Sequence, residues 1–303
     1  KIILLVDSTL VDALRQELIR YESDLIGDGW EVLRKNISRN ASVKSVKSII
    51  HDFYNSDPEN VNTIFLFGHI PVPYSGNFAY DGHAEHAGAW PADMYYGSMN
   101  EEIWQDVSVN YTKTERYENN NIPGDGKFDM NKLPVKESIK LSVGRIDFHN
   151  LPAFPQSETE LLRNYLNKNH AFRHKINNPK MQALVDDNWG ILNYSAGIKE
   201  AFSISGWRNF TALLNFNNIR TGNFFTDTQN DSYIWSYACG GGNFDSCKYV
   251  GSSTMFVNQS PKTVFTAFYG SRFGDWDSEN NFMRAGLASN GWILTSCWAG
   301  RPH

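Results

Sequence analysis

Apolar residues in this chain recur at two periods, and the two alternate. Unbroken apolar runs predict strands at 1–7 and 63–67, the first closed by Asp7-Ser8, with a shorter strand at 30–33. Between them, Leu10, Leu14, Leu18 and Leu25 fall near a 3.6-residue spacing, as do Val43, Val46, Ile49, Ile50 and Phe53. Each set predicts an amphipathic helix, and Gly27-Asp28-Gly29 stops the first. A strand at 139–143 follows. Then comes a helix opened by a Ser157/Glu160 capping box and carried by Leu161, Leu162, Tyr165, Leu166 and Phe172. After a basic, Asn-rich stretch at 173–180 the alternation resumes. It predicts strands at 181–185, 234–237, 263–268 and 292–296, and a helical region over 196–214. A last helix starts at Asp277-Ser278-Glu279 and runs through 282–288. Apolar strands alternating with amphipathic helices indicate parallel sheets covered on both faces. The expected architecture is α/β, with two side-by-side parallel-sheet subdomains and flanking helices, 1–178 and 179–303. A long insertion at about 68–134, rich in Gly, Asn, Tyr and Pro, interrupts the first. Loops of that length inside a compact module usually carry function or metal.

The bulk properties support this picture. The chain has 303 residues, 41% of them hydrophobic, enough for two cores. Its net charge is −5 with no Lys/Arg cluster, which argues against a nucleic-acid partner, and no apolar run approaches the length of a membrane span. The first residue already lies in a strand pattern, so the chain reads as a trimmed piece of a longer precursor. Three cysteines are too few for a disulfide scaffold, although Cys239 and Cys247 are spaced for a small loop-closing bridge. The high aromatic content, the Asn/Gly/Ser loops and Asn-x-Ser/Thr triplets at Asn36 and Asn209 fit an extracellular protein, secreted or at a cell surface.

Several short motifs occur in a telling order. Phe67-Gly68-His69 precedes Pro91-Ala92-Asp93-Met94-Tyr95-Tyr96-Gly97, and Ser142-Val143-Gly144-Arg145-Ile146 follows. Later come Ser236-Tyr237-Ala238-Cys239-Gly240-Gly241-Gly242 and the segment 266–276, which ends in Gly274-Asp275-Trp276. This series resembles the catalytic region of the gingipain family, secreted bacterial cysteine endopeptidases with a caspase-like fold. The resemblance implies that the family's general-base His falls at Gly240 and its nucleophilic Cys near Ser271. Glycine carries no base, and a serine without one is a poor nucleophile. The expectation is therefore a diverged, non-peptidase module that binds a peptide, protein or other polar ligand. Two alternatives are an active hydrolase using Cys239 or Ser271 with a base such as His69 or His303, and a structural unit of a surface assembly.

In parallel α/β sheets, ligands gather at the carboxyl ends of the strands. Those ends predict a ligand site of Gly240, Gly241, Arg272, Asp275, Trp276, Trp298 and Arg301. In the insertion, Asn121, Asp125 and Asp129 surround a tight Gly turn with hard oxygen donors suited to Ca²⁺. His83, His86 and Asp93 form a weaker set for Zn²⁺.

Overall fold

The computed structural model describes residues 1–134, 139–189 and 202–298. Contacts divide the chain into two compact units, Lys1–His149 and Asn150–His303. The first runs β1 (Ile2–Asp7), α1 (Arg15–Gly27), β2 (Val32–Ile37), α2 (Val43–Ser56) and β3 (Thr63–Phe67). An antiparallel pair follows, β4 (Tyr74–Phe78) with β5 (Gly88–Pro91), then a short helix α3 (Met94–Gly97) and β6 (Ser142–Ile146). Its sheet is parallel throughout, in the order β2-β1-β3-β6. Because β1 is central, all six of its residues are buried. Ile3 and Leu5 share a cluster with Val46 and Ile50 of α2 and with Tyr95, Tyr96, Trp104 and Phe128 of the insertion. Phe65 meets Tyr21 of α1. Each such side chain contributes roughly 1.5–3 kcal/mol by leaving water.

The second unit begins with α4 (Glu158–Arg173), β7 (Ala183–Asp187), α5 (Ile204–Leu214), an edge strand β8 (Ile219–Thr221), α6 (Phe224–Asn230) and β9 (Tyr233–Cys239). Three two-residue strands follow: β10 (Gly242–Asn243), β11 (Ser246–Cys247) and β12 (Gly251–Ser252). The chain then continues through α7 (Ser253–Asn258), β13 (Thr263–Tyr269), α8 (Phe282–Ala288) and β14 (Thr295–Trp298). The main sheet, again parallel, is ordered β14-β13-β9-β7-β8. Phe172 of α4 and Phe210 of α5 reach Phe265 and Trp235 on one face. On the other, Phe224, Phe256, Phe268 and Phe282 of α6, α7, β13 and α8 form a continuous ring cluster.

The α/β class with helix-flanked parallel sheets agrees with the sequence reading; several boundaries move. α1 begins at Arg15, because Leu10 to Leu14 form turns rather than helix. β2, β6, β7 and β14 each start two or three residues later than their apolar runs suggest, where pairing with the neighbouring strand begins. The last helix is capped by Asn281, whose side chain accepts from Met283 and Arg284, and not by Asp277 or Ser278. The two compact units meet at 149/150. α4 opens on the capping box seen in the sequence but packs with the second unit, where Tyr165 Oη donates to Leu294 O at 3.0 Å. Residues 196–201 of the expected helical region lie outside the described residues.

Each unit buries a lysine where a short helix ends. Lys47 Nζ donates to the carbonyls of Tyr95 (2.8 Å), Tyr96 (3.1 Å) and Ser98, closing α3. Lys168 Nζ donates to those of Leu287 (2.5 Å) and Ser289 (3.0 Å), closing α8. Terminal carbonyls have no partner within their helix, so these bonds satisfy groups that burial would otherwise strand. Burial pushes both amines down to about 7. In the unfolded chain they hold their protons up to about 10.5. Between pH 7 and 10.5 the unfolded state therefore binds more protons, and the contribution of these groups to stability rises with pH. Denaturant melts should show Lys168→Ala to be ~2–4 kcal/mol less stable at pH 9. The gain in stability from pH 7 to pH 10 should shrink in the variant.

Candidate active-site edge

The order of the second sheet reverses between β7 and β9, the place where open α/β sheets bind ligands. Asp186 and Asp187 end β7, Cys239 ends β9, and Tyr269, paired in register with Cys239, ends β13. The sequence-predicted residues Cys239, Gly240, Gly241, Ser271, Arg272 and Trp298 all come to this edge, but as parts of a closed structure.

Cys239 is fully buried. Its thiol donates to Asp187 Oδ1 at 3.3 Å, and Asp187 Oδ2 accepts from Ser203 Oγ at 2.7 Å. Burial, reinforced by the Asp187 charge, raises the thiol well above its ordinary value. A nucleophilic cysteine needs an imidazole or other cation to favour the thiolate, and this one faces a carboxylate. The bond to Asp187 therefore favours the protonated thiol of Cys239. It is not bridged: all three cysteines are free, and Cys247 is a second buried thiol raised by burial. Asp186, held by Phe224 N at 2.8 Å and Asn188 Nδ2 at 2.6 Å, is raised by burial to about 6. The sequence analysis missed this aspartate pair. The available signal was two carboxylates closing an apolar run.

Between β9 and α7 the chain folds into a strap over this edge. Gly240 N donates to Tyr269 O at 3.1 Å, and Lys248 N donates to Gly241 O at 2.8 Å. A Cβ on Gly240 would sit 2.3 Å from Lys248 O, and one on Gly242 would sit 2.3 Å from Ser271 N. Neither position has room for any side chain. Ser271 thus lies under strap backbone. Among the described residues, the histidines of this unit are His170 and His174, near the end of α4. Phe172 between them packs on Phe265, in the first half of β13 and away from Ser271. Ser271 as a base-activated nucleophile has no support from these contacts.

The expected ligand residues are spent on holding the strap. Arg272, at φ +66°, donates to Asn243 Oδ1 at 3.0 Å and lies over the Phe244 ring. Trp298 Nε1 donates to Gly270 O at 3.0 Å. Asp275 is buried, and its backbone closes the turn with Arg272 and Ser278; Trp276 is half-buried beside it. Arg301 and His303 lie outside the described residues. Beside the strap, an open groove of about 720 Å³ is lined by residues of α6, strap residues 246–251 and α7, with Asn223, Gln229 and Gln259 among them.

The first unit has its own edge, where the strand order turns back between β1 and β3. Asp7 and His69 stand there. Gly68, at φ +82°, lets the chain turn where a Cβ would meet Leu10 Cδ1 at 2.5 Å. His69 Nδ1 bonds Asp147 Oδ2 at 2.9 Å, and its ring lies 4.3 Å from that of His149. The buried Asp7 is held by Arg39 at 2.5 and 2.9 Å. His69 belongs to this unit, whereas Cys239 and Ser271 belong to the other.

The metal candidates divide. Asp93 is held in a fork by Arg145, both contacts at 2.8 Å. His86 pairs instead with Asp81 at 2.6 Å. Asp125 accepts from Ile122 N and Lys127 N, and Asp129 accepts from the amides of Val107, Ser108 and Val109. Burial would raise Asp129, but the amides of Val109 and Val107 outweigh it, and its carboxyl lies below the ordinary value. Asn121 is buried and donates to Gly76 O and Phe128 O, each at 2.9 Å. These three side chains staple the insertion through backbone groups.

The architecture has a known counterpart. It is similar to a protease structure, with a TM-score of 0.61, 10% identity, and coverage of 99% of this chain and 59% of that one. It is also similar to the Arg-specific cysteine proteinase gingipain R, with a TM-score of 0.55, 11% identity, and coverage of 95% and 59%. The complex of Porphyromonas gingivalis RgpB pro- and mature domains gives 0.52, 10%, 95% and 60%. At such identity the likeness defines the fold, which is gingipain-like and caspase-like. The chain spans about three fifths of each of these structures. No protein-family model and no curated protein matches the sequence. No helix among the described residues is long and apolar enough to cross a membrane.

Two outcomes follow. In native protein, Cys239 and Cys247 should react with a thiol reagent only as fast as the unit opens, whereas the exposed Cys297 reacts first; mass spectrometry of the labelled peptides reads this. Gly240→Ala should destabilise the unit by about 1–3 kcal/mol in denaturant melts, the usual cost of forcing atoms into packed space.

Proposed function

We propose that this chain is a diverged gingipain-like region acting as a binding module, not as a cysteine peptidase. The observation that carries this reading is the bond from Cys239 to Asp187, which keeps the thiol at the sheet's edge protonated and buried. The glycine strap supports it, because Gly240 cannot hold a base and Gly242 lies on Ser271. With that edge covered, binding is assigned to the groove beside the strap. The groove beside Lys248 and Tyr249, with amide side chains from Asn223, Gln229 and Gln259, suits a peptide or other polar ligand. A secreted or cell-surface location belongs to the same proposal. The Asn-rich loops and the likeness to gingipain R support it.

An unbiased peptide library, incubated with wild type, Cys239→Ala and Ser271→Ala and read by mass spectrometry, tests the reading. The expected result is no cleavage above buffer from folded protein, with and without reductant. Cleavage abolished by either substitution would identify a nucleophile and replace the binding module with an active hydrolase.

A further inference from the structure

His170 and His174 are four residues apart, so on α4 they project from one face, one turn above the other. Their ring centroids are 4.2 Å apart, and each offers a ring nitrogen within 4.8 Å of the other's. Two imidazole nitrogens on one tetrahedral zinc stand about 3.3 Å apart, given Zn–N bonds near 2.0–2.1 Å. A small rotation about the side-chain torsions covers the difference. Two histidines at this spacing on a helix face are the arrangement from which helical zinc sites are built.

We infer that His170 and His174 form a site for a divalent transition-metal ion such as Zn²⁺ or Cu²⁺. The inference is independent of the proposal about the peptidase edge. Three further features support it. The pair sits at the end of the helix, where the carbonyl ends of the peptide dipoles favour a cation. That end is fixed: Lys175 takes φ +58°, Lys175 N donates to Phe172 O at 3.0 Å, and Ile176 N donates to Ala171 O at 2.8 Å. The nearby Arg173 guanidinium is turned towards Asn169, with Nε on Oδ1 at 2.7 Å. Imidazole donors suit zinc, copper or nickel, whereas calcium and magnesium take oxygen. The remaining coordination positions are left to water or to a carboxylate.

Zn²⁺ alone, titrated calorimetrically into the whole chain, tests the inference. The expected result is one ion per chain. His170→Ala and His174→Ala should each weaken binding at least about tenfold, the loss that removing even an outer partner of a metal site brings. His83→Ala and His86→Ala should leave binding unchanged. Cu²⁺ electron paramagnetic resonance should show two nitrogen couplings in wild type and one in His174→Ala. Because His174 is exposed, that variant keeps the packing of α4, and circular dichroism checks it. Unchanged affinity in both α4 variants, loss of binding in the His83 or His86 variants instead, or no stoichiometric uptake by wild type would overturn the inference.

Discussion

Backbone lies on backbone at two points of the second unit, Gly242 against Ser271 and Gly240 against Lys248, and the state of the sheet's carboxyl edge follows from those contacts. A parallel sheet covered by helices on both faces exposes its chemistry only at the strand ends. Here a strap of short antiparallel strands covers one of those ends. Once it is seated, Gly240 N takes Tyr269 O, Arg272 reaches Asn243, and Trp298 reaches Gly270. Groups of the kind that hold a substrate in an open cleft instead hold the strap. Cys239, shut beneath it, finds a carboxylate as its partner, and low-dielectric surroundings keep the proton on sulfur.

The same economy of polar groups appears elsewhere. Short helices such as α3 and α8 cannot satisfy their own last carbonyls, and in both units a lysine from a longer helix supplies the donors. In the insertion, Asp106 receives the amides of Gly124 and Gly126 while Asp129 receives three others. Side-chain groups thus do for irregular backbone what ladders do for strands. A segment with little periodicity keeps a defined shape by this means.

Much of the fold was legible because it rests on periodicity. The central strands β1, β3 and β13 are apolar on both faces, and the capping box of α4 is a local signal that no tertiary contact overrides. β8, α6 and α7 were not legible. They are three to seven residues long, and α6 and α7 rest on Phe224, Phe225 and Phe256 packing against one another. Gathering Cys239, Gly240, Ser271 and Arg272 at one edge followed correctly from the rule about strand ends. Their roles did not, because a strap's position depends on contacts between residues about thirty apart, such as Gly242 and Ser271. Asp93 illustrates the same limit: its spacing to His83 and His86 suggested a ligand, yet Arg145, 52 residues away, holds it.

Gly240 also constrains the order in which the chain could change over evolutionary time. A histidine there, the residue the family resemblance would require, cannot be accepted while Lys248 O occupies the space. The strap would have to shorten or move first, and the bonds from Arg272 and Trp298 would be lost with it. Any side chain gained at this position would thus begin with a destabilised fold.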